Sequence, residues 1–381
     1  MKIAIVSNRF PPRWIGGTEI ATKCLASSLS LLRNSVIVIT SWDSGLPLVD
    51  KENGFIVIRI KRPFVKKFDP FLSMIGNLIF YLKTLIILKR IKPDIVHIQS
   101  LTNLLLCVLI KKILKLKCGI WARGSDIYSN WPLKRFFFKF FLNFPDLLLV
   151  FSRDMLNKVK EYRRKQTIIL PNGINLYEFS YLLKKTKEEI REELNLPQHV
   201  NIIVYIGRLE YVKAPHLLLF AFKKVIKHFP ESLLIIVGSG KLYHKLINIC
   251  KKLKLDNKVL FTGPLPREKA LLFLRASDLL VLPSFSEGFP LVILEAMAAQ
   301  TPVIVSDFEG VTEYIRDGID GLLVKRGDIK DLSRKVIAVL SDKKLRKQLI
   351  YNAYKKVKKY DWKRIALELL KHYSNCLTRN Q

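Results

Sequence analysis

The sequence predicts an α/β chain of two doubly wound halves, each a parallel sheet covered by helices. Three observations carry this. Short β-rich runs alternate with helix-length segments, the alternation breaks once near 171–200 and restarts, and 381 residues suffice for two domains with a core apiece. KIAIVS opens the first half as a strand ending in a Pro loop, and a helix follows from about Thr18. SVIVIT and GFIVIRI are further strands, a long helix lies within 71–91, DIVHIQS is a strand, and another helix lies within 101–116. CGIWA, a Phe-rich helix, DLLLVFS and TIIL complete this half.

Between 171 and 200 PNGINLYEF is turn-rich, and KKTKEEIREELNLPQ reads as a charged, solvated helix ending at a Pro. The second half then runs NIIVYIG, a helix over about 214–228, SLLIIVGSG, a helix, KVLFTG, a helix from about Arg267, DLLVLPS, a helix in FPLVILEAMAAQ, TPVIVSD and GLLV. The simplest account is two Rossmann-like domains, 1–172 and 173–360, with a last helix, 361–381, packing back on the first. Ligands on such sheets bind beyond the carboxyl ends of the strands.

Composition narrows the class. Hydrophobic residues at 49% with 25% charged are globular, and no apolar run reaches the length of a spanning helix. The N-terminus lacks a signal peptide's apolar core, so a cytoplasmic protein is expected. Five cysteines without a Cys-x-x-Cys pair fit reduced thiols, and six scattered His offer no zinc spacing. The formal charge is +33; residues 1–170 alone hold 29 basic and 10 acidic residues. Nucleic acid, an anionic membrane or phosphorylated substrates are the partners such charge suits.

The chemistry starts at loops after strands. RWIGGTE sets Gly16 and Gly17 before a helix, where backbone amides can approach a phosphate or where glycine simply allows close packing. No Gly-x-Gly-x-x-Gly follows that strand and no Gly-x-x-x-x-Gly-Lys-Ser/Thr occurs, which counts against NAD enzymes and P-loop NTPases. IGRLEYVKAP puts two cations, Arg208 and Lys213, on the first loop of the second half. SFSEGFPLVILEA holds two carboxylates in apolar surroundings, each costly unless paired. Pro290 suits a first helical turn, so Glu287 lies ahead of the helix and Glu295 roughly 7.5 Å along it. At that spacing they can hold two ends of an elongated ligand such as a nucleotide sugar, its diphosphate near the helix N-terminus. Alternatively Glu287 is a capping residue and Glu295 merely half-buried.

Together the Gly16–Gly17 loop, PDIVHIQS, LPNGIN, GRLEYVK, SEGFPLVILEA with its Glu-x7-Glu, TPVIVSD and the EYI..GIDGLLVKRGD tail resemble the retaining glycosyltransferases of family 4, glycosyl transferases group 1. The resemblance implies the GT-B fold, two Rossmann-like domains whose parallel sheets face across a cleft. It also implies a nucleotide-diphosphate sugar as donor, held mainly by the C-terminal half, an acceptor held mainly by the N-terminal half, and hexosyl transfer with retention and without a metal. No Asp-x-Asp occurs in the chain, in keeping with the last point. Carried over, Glu287 holds the donor sugar and Glu295 the ribose. Arg208 and Lys213 hold the pyrophosphate with the amides of Gly16 and Gly17, and Gly207, Gly288, Phe289, Pro290 and Leu291 complete the donor site.

One position departs from the family. Many members have His where ARGSDIY places Arg123, and a permanent cation cannot accept a proton. Arg123 either meets a carboxylate or phosphate on a substrate or pairs with Asp126 to hold its loop. In NWPLKRFFFKFFLNFPD, helical spacing places Leu133, Phe136, Phe137, Phe140, Phe141 and Phe144 on one side. Phe138 and Leu142 fall on the other, among Lys134, Arg135 and Lys139. One face packs on the sheet and the other offers aromatic and basic residues to an anionic membrane, with KKILKLK and VKKF extending it; a simply buried helix is the alternative. A lipid-linked or glycan acceptor at the inner membrane face, and a cytoplasmic peripheral enzyme, are therefore expected. Two rival readings remain: a nucleic-acid-binding protein, for which the recognition motifs are missing, and a catalytically silent scaffold of the same fold.

Overall fold

The computed structural model describes residues 1–12, 16–62, 70–128 and 134–378. Two compact units emerge, Met1–Gly173 with Trp362–Gln381, and Ile174–Asp361.

Unit 1 runs β1 (Lys2–Val6), α1 (Gly17–Leu31), β2 (Ser35–Ser41), β3 (Val49–Glu52), β4 (Phe55–Ile60), α2 (Pro70–Ile91) and β5 (Ile95–Gln99). It continues through α3 (Leu104–Leu109), which passes into a π turn (Ile110–Leu114), then β6 (Lys117–Trp121), α4 (Ser125–Tyr128), α5 (Lys134–Phe141), β7 (Leu147–Val150), α6 (Arg153–Lys160) and β8 (Thr167–Ile169). Unit 2 holds α7 (Leu176–Leu182), α8 (Lys187–Glu193), β9 (Ile202–Ile206), α9 (Pro215–Val225), β10 (Leu233–Val237), α10 (Tyr243–Lys252), β11 (Val259–Gly263) and α11 (Arg267–Ala276). After these come β12 (Leu279–Leu282), α12 (Leu291–Ala298), β13 (Val303–Ser306), β14 (Leu322–Val324), α13 (Ile329–Ser341) and α14 (Lys343–Val357). The last helix, α15 (Trp362–Thr378), returns to unit 1.

Among the described residues the first sheet is ordered β3-β4-β2-β1-β5-β6-β7-β8 and the second β11-β10-β9-β12-β13-β14. All pairings are parallel except β3 with β4, joined by Asn53-Gly54 with both residues at positive φ, the signature of a tight hairpin. Helices on both faces bury the inner strands, so IIVYI, LLIIV and LLVL read as continuous apolar runs instead of alternating ones. In each sheet the order reverses beside the first strand, between β1 and β5 and between β9 and β12. Loops leaving those strands diverge, and the crevice they leave is where open α/β sheets take ligands.

Local sequence explains several boundaries. Thr186 and Glu189 form a reciprocal capping box at the start of α8. The carboxylate of Asp278, just before β12, accepts from Lys187 (3.1 Å), Arg191 (2.8 Å) and the backbone of Ile202 (2.8 Å), which pins α8 to the starts of the central strands β9 and β12. On α15, Trp362, Ile365, Ala366, Leu369 and Tyr373 are buried, and the helix packs on α1.

Two expectations are corrected. LYEF, read as part of a turn, is helical in α7 because Asn175 caps it, its side chain accepting from the Tyr177 N–H. In α5 the faces are exchanged: Phe138 and Leu142 are buried, whereas Phe136 and Phe140 are exposed beside exposed Arg135 and Lys139. An eight-residue helix has one short inward stripe, which Phe138 fills with Leu142 just past the helix end; the more numerous phenylalanines are left to flank it or face outward. Leu133 and VKKF lie outside the described residues. No described helix is long and apolar enough to cross a membrane.

Candidate active site

In unit 2 the site is built at the sheet's switch point from the β9–α9 and β12–α12 loops, tied together by a bond from the Phe285 N–H to the Val212 carbonyl (2.8 Å). Glycine is required next to it. A Cβ on Gly238 or Gly240 would collide with the backbone of Gly207 or Leu209, and both glycines have positive φ, so the loop after β10 lies directly on the loop after β9. Lys213 ends a short 3-10 turn of that loop, Tyr211–Lys213.

Lys213 donates to one oxygen of Glu287, and Ser284 Oγ donates to the other at 2.8 Å. Glu287 is 7% exposed, so its burial is compensated by an ion pair and a hydrogen bond. Glu295 is buried on α12, which Pro290 precedes as the capping residue and not as a member of its first turn. The partner of Glu295 is Arg267, from the start of α11, whose other terminal nitrogen reaches Glu178 on α7 at 3.3 Å. Sequence reasoning missed Arg267, one cation among 65 with no motif around it, and Ser284.

The remaining expected donor residues divide. Gly207 closes β9 with its N–H bonded to the Val237 carbonyl at 3.0 Å. Gly288 and Pro290 flank Phe289, whose ring meets Tyr314 at 4.6 Å and Tyr360 at 6.0 Å, and Leu291 opens α12. Arg208 is not brought to Lys213: its side chain is 66% exposed and pairs with Glu210 at 2.9 Å, while its carbonyl accepts from the Tyr205 hydroxyl. Arg208 is therefore a loose cation on the rim and Lys213 a fixed one inside.

In unit 1, Gly16 caps α1 and Gly17 begins it, with the Glu19 carboxylate lying against Gly16 at the helix N-terminus. Arg123, after β6, is half-buried; its guanidinium donates to Asn172 Oδ1 (3.1 Å) and to Gln99 Oε1 and lies over the Trp121 ring at 4.7 Å. Burial lowers its pKa to about 9, against the opposing pull of Asp126 and Glu19. The loop-holding contact expected with Asp126 exists in another form. That carboxylate accepts from the backbone N–H of Arg123 (2.9 Å), from Leu101 N–H (2.7 Å) and from Ser100 Oγ (3.0 Å), and the guanidinium bonds elsewhere. Burial raises the Asp126 pKa, with those bonds pulling the other way. Among the described residues no three His, Cys, Asp or Glu side chains gather as metal ligands would.

Residues 15–178 match the family Glycosyltransferase Family 4, and residues 186–356 match Glycosyl transferases group 1. An uncharacterized glycosyltransferase of Methanocaldococcus jannaschii is 29% identical over 98% of both chains. Among solved structures, sucrose-phosphate synthase from Thermosynechococcus elongatus superposes with a TM-score of 0.85 at 22% identity, covering 98% of each chain. HepE of Anabaena, solved in complex with UDP and glucose, superposes with a TM-score of 0.79 at 18% identity over 98% of this chain and 100% of its own. Two parallel-sheet α/β units, the two family matches and these neighbours make the chain a group 1, family 4 glycosyltransferase of the GT-B fold.

Proposed function

We propose that this glycosyltransferase moves a hexosyl group, with retention and without a metal, from a nucleotide-diphosphate sugar to a glycan or lipid-linked acceptor at the inner membrane face. The buried Lys213–Glu287 pair at the switch point of unit 2 carries the donor half of this reading. A diphosphate arriving at the N-terminal end of α12 gives Lys213 a stronger anionic partner than a single carboxylate, and Glu287 is released to accept bonds from sugar hydroxyls. Arg208 exchanges its exposed Glu210 partner for the phosphates and closes over them from the rim. Glu295, already oriented by Arg267, accepts from the ribose. HepE, of the same fold, was solved with UDP bound, which favours a uridine nucleotide among the first to try.

Retention is assigned to same-face attack. The bond from the sugar C1 to the leaving phosphate oxygen breaks, the acceptor oxygen bonds C1 on that face, and the acceptor's proton passes to the departing phosphate. Arg123 cannot take that proton, and its guanidinium is engaged by Asn172 and Gln99, so it is assigned to shaping the acceptor side. The membrane half of the reading is supported by Phe136, Phe140, Arg135 and Lys139, exposed together on α5.

Calorimetric titration of UDP, GDP and ADP without metal, repeated on Glu295→Ala, tests the donor site. Selective binding weakened in the variant is expected. Failure of every nucleotide beside tight binding of a control oligonucleotide would replace this reading with the nucleic-acid one. Product NMR with the accepted donor then reports the anomeric configuration.

A further inference from the structure

The helix α2 shows an apolar stripe turned to solvent. Met74, Leu78, Leu82 and Ile86, four residues apart, are each between 51% and 62% exposed, while Phe80, Tyr81, Leu85 and Leu88 on its other side are buried. Residues four apart share a helix face, so the stripe extends roughly 18 Å along the axis. Lys89 continues it, and exposed Lys83 and Arg90 flank it.

This stripe is not isolated. The steps β4 to β5, β5 to β6 and β6 to β7 all move toward the β8 edge, so right-handed crossovers put α2, α3 and α5 on one face of the sheet. Packing agrees, since α2 touches the π turn after α3 and α3 touches α5. The outer surface of this row adds exposed Leu105, Ile113, Phe136 and Phe140, with exposed Lys112, Lys115, Arg135 and Lys139. None of the three helices, nor the π turn, contains an Asp or Glu.

We infer that α2, α3 and α5 form one docking face for an anionic lipid surface, with the Met74–Leu78–Leu82–Ile86 stripe as the part that enters the headgroup–acyl boundary. Charge selects this occupant. A second copy of the chain laid against this row would set seven exposed cations against seven, with no Asp or Glu on α2, α3, α5 or the π turn to pair with them. A polyanion such as nucleic acid gives the apolar stripe nothing to cover it. An anionic bilayer supplies both negative charge and an apolar layer. This deepens the membrane-face reading above and rests on it for the acceptor but not for the binding itself.

Flotation with vesicles of phosphatidylglycerol and phosphatidylcholine in equal parts, and with phosphatidylcholine alone, tests the face. The wild type is expected to float with the acidic vesicles far better than with the neutral ones. Leu78→Ser with Leu82→Ser is expected to weaken partition by about tenfold or more, since two exposed leucines lose their apolar burial. Phe136→Ser with Phe140→Ser gives an independent variant on the same face, expected to act in the same direction. Wild-type partition by both double variants, or no wild-type binding to acidic vesicles, overturns the proposal. So does a solution dimer, seen by light scattering, that the α2 variant breaks. Nucleotide titration of the same preparations separates the two readings: lipid binding without nucleotide binding would sink the donor assignment alone, and the reverse would sink the docking face alone.

Discussion

A carboxylate and an ammonium held together out of water are stable only as a pair, and removing either leaves the other uncompensated. Lys213 and Glu287 are in that position, so their substitution acts on both structure and chemistry, whereas exposed Arg208 can be changed without disturbing the fold. Arg208→Ala is therefore the clean test of phosphate stabilisation: turnover is expected to fall about a hundredfold, the loss typical of one removed transition-state donor, with the thermal midpoint unchanged. Lys213→Ala is expected to lose at least as much turnover and to lower the midpoint as well. Arg267 acts through Glu295 and is a positioning residue. Arg267→Ala is expected to raise the donor KM several-fold with a smaller change in kcat, and Arg267→Lys to restore part of it; steady-state kinetics with varied donor reads the split. The glutamates and Lys213 were legible in the sequence because their loops carry a recognisable spacing. Arg267 was not, because its role is set by where α11 meets α12 and α7 in space, and nothing local to its own segment announces that.

At the scale of elements, β–α alternation was legible because buried parallel strands and amphipathic helices differ in period and length. The strand β3 is not legible in VDKE, which has no apolar run, although Asn53-Gly54 signals a hairpin. The exchange of faces in α5 shows the limit of counting apolar residues on a short helix. The docking of α15 yields a pH prediction. His97 on β5 is fully buried, 2.5 Å from the Tyr373 hydroxyl and edge-on to Trp121, and burial, with a lesser push from Arg123, lowers its pKa to about 3 from the ordinary 6.5. Above pH 6.5 the imidazole is neutral folded or unfolded and contributes no pH dependence. As pH falls below 6.5 the unfolded chain takes up a proton that the folded one refuses, so stability declines by at most about 1.4 kcal/mol per pH unit until pH approaches 3. Urea unfolding between pH 7 and 4 is expected to show this loss, and His97→Phe to flatten that part of the profile.

At the scale of the whole molecule, the chain passes from unit 1 to unit 2 once and back once, at Gly173–Ile174 and Asp361–Trp362. The two passes lie side by side, with the Ile174 N–H bonded to the Tyr360 carbonyl at 2.7 Å. Gly173 is needed there because a Cβ would strike the Trp362 indole. The helix that follows is covalently the end of unit 2 and energetically part of unit 1. Trp362, Ile365, Leu369 and Tyr373 are buried, and at about 1.5–3 kcal/mol per large side chain their removal rivals the roughly 5–15 kcal/mol that stabilises a typical domain. A chain ending at Asp361 is therefore expected to lose the cooperative urea transition of unit 1. Arg208, Lys213, Glu287 and Glu295, the side chains proposed to hold the donor, all lie in unit 2, so the truncated chain is expected to keep the nucleotide affinity of the full one. Circular dichroism through a urea titration reads the first effect and calorimetry the second. If the nucleotide were lost along with α15, the donor would depend on residues of unit 1, and the amides of Gly16 and Gly17 would be the first to test.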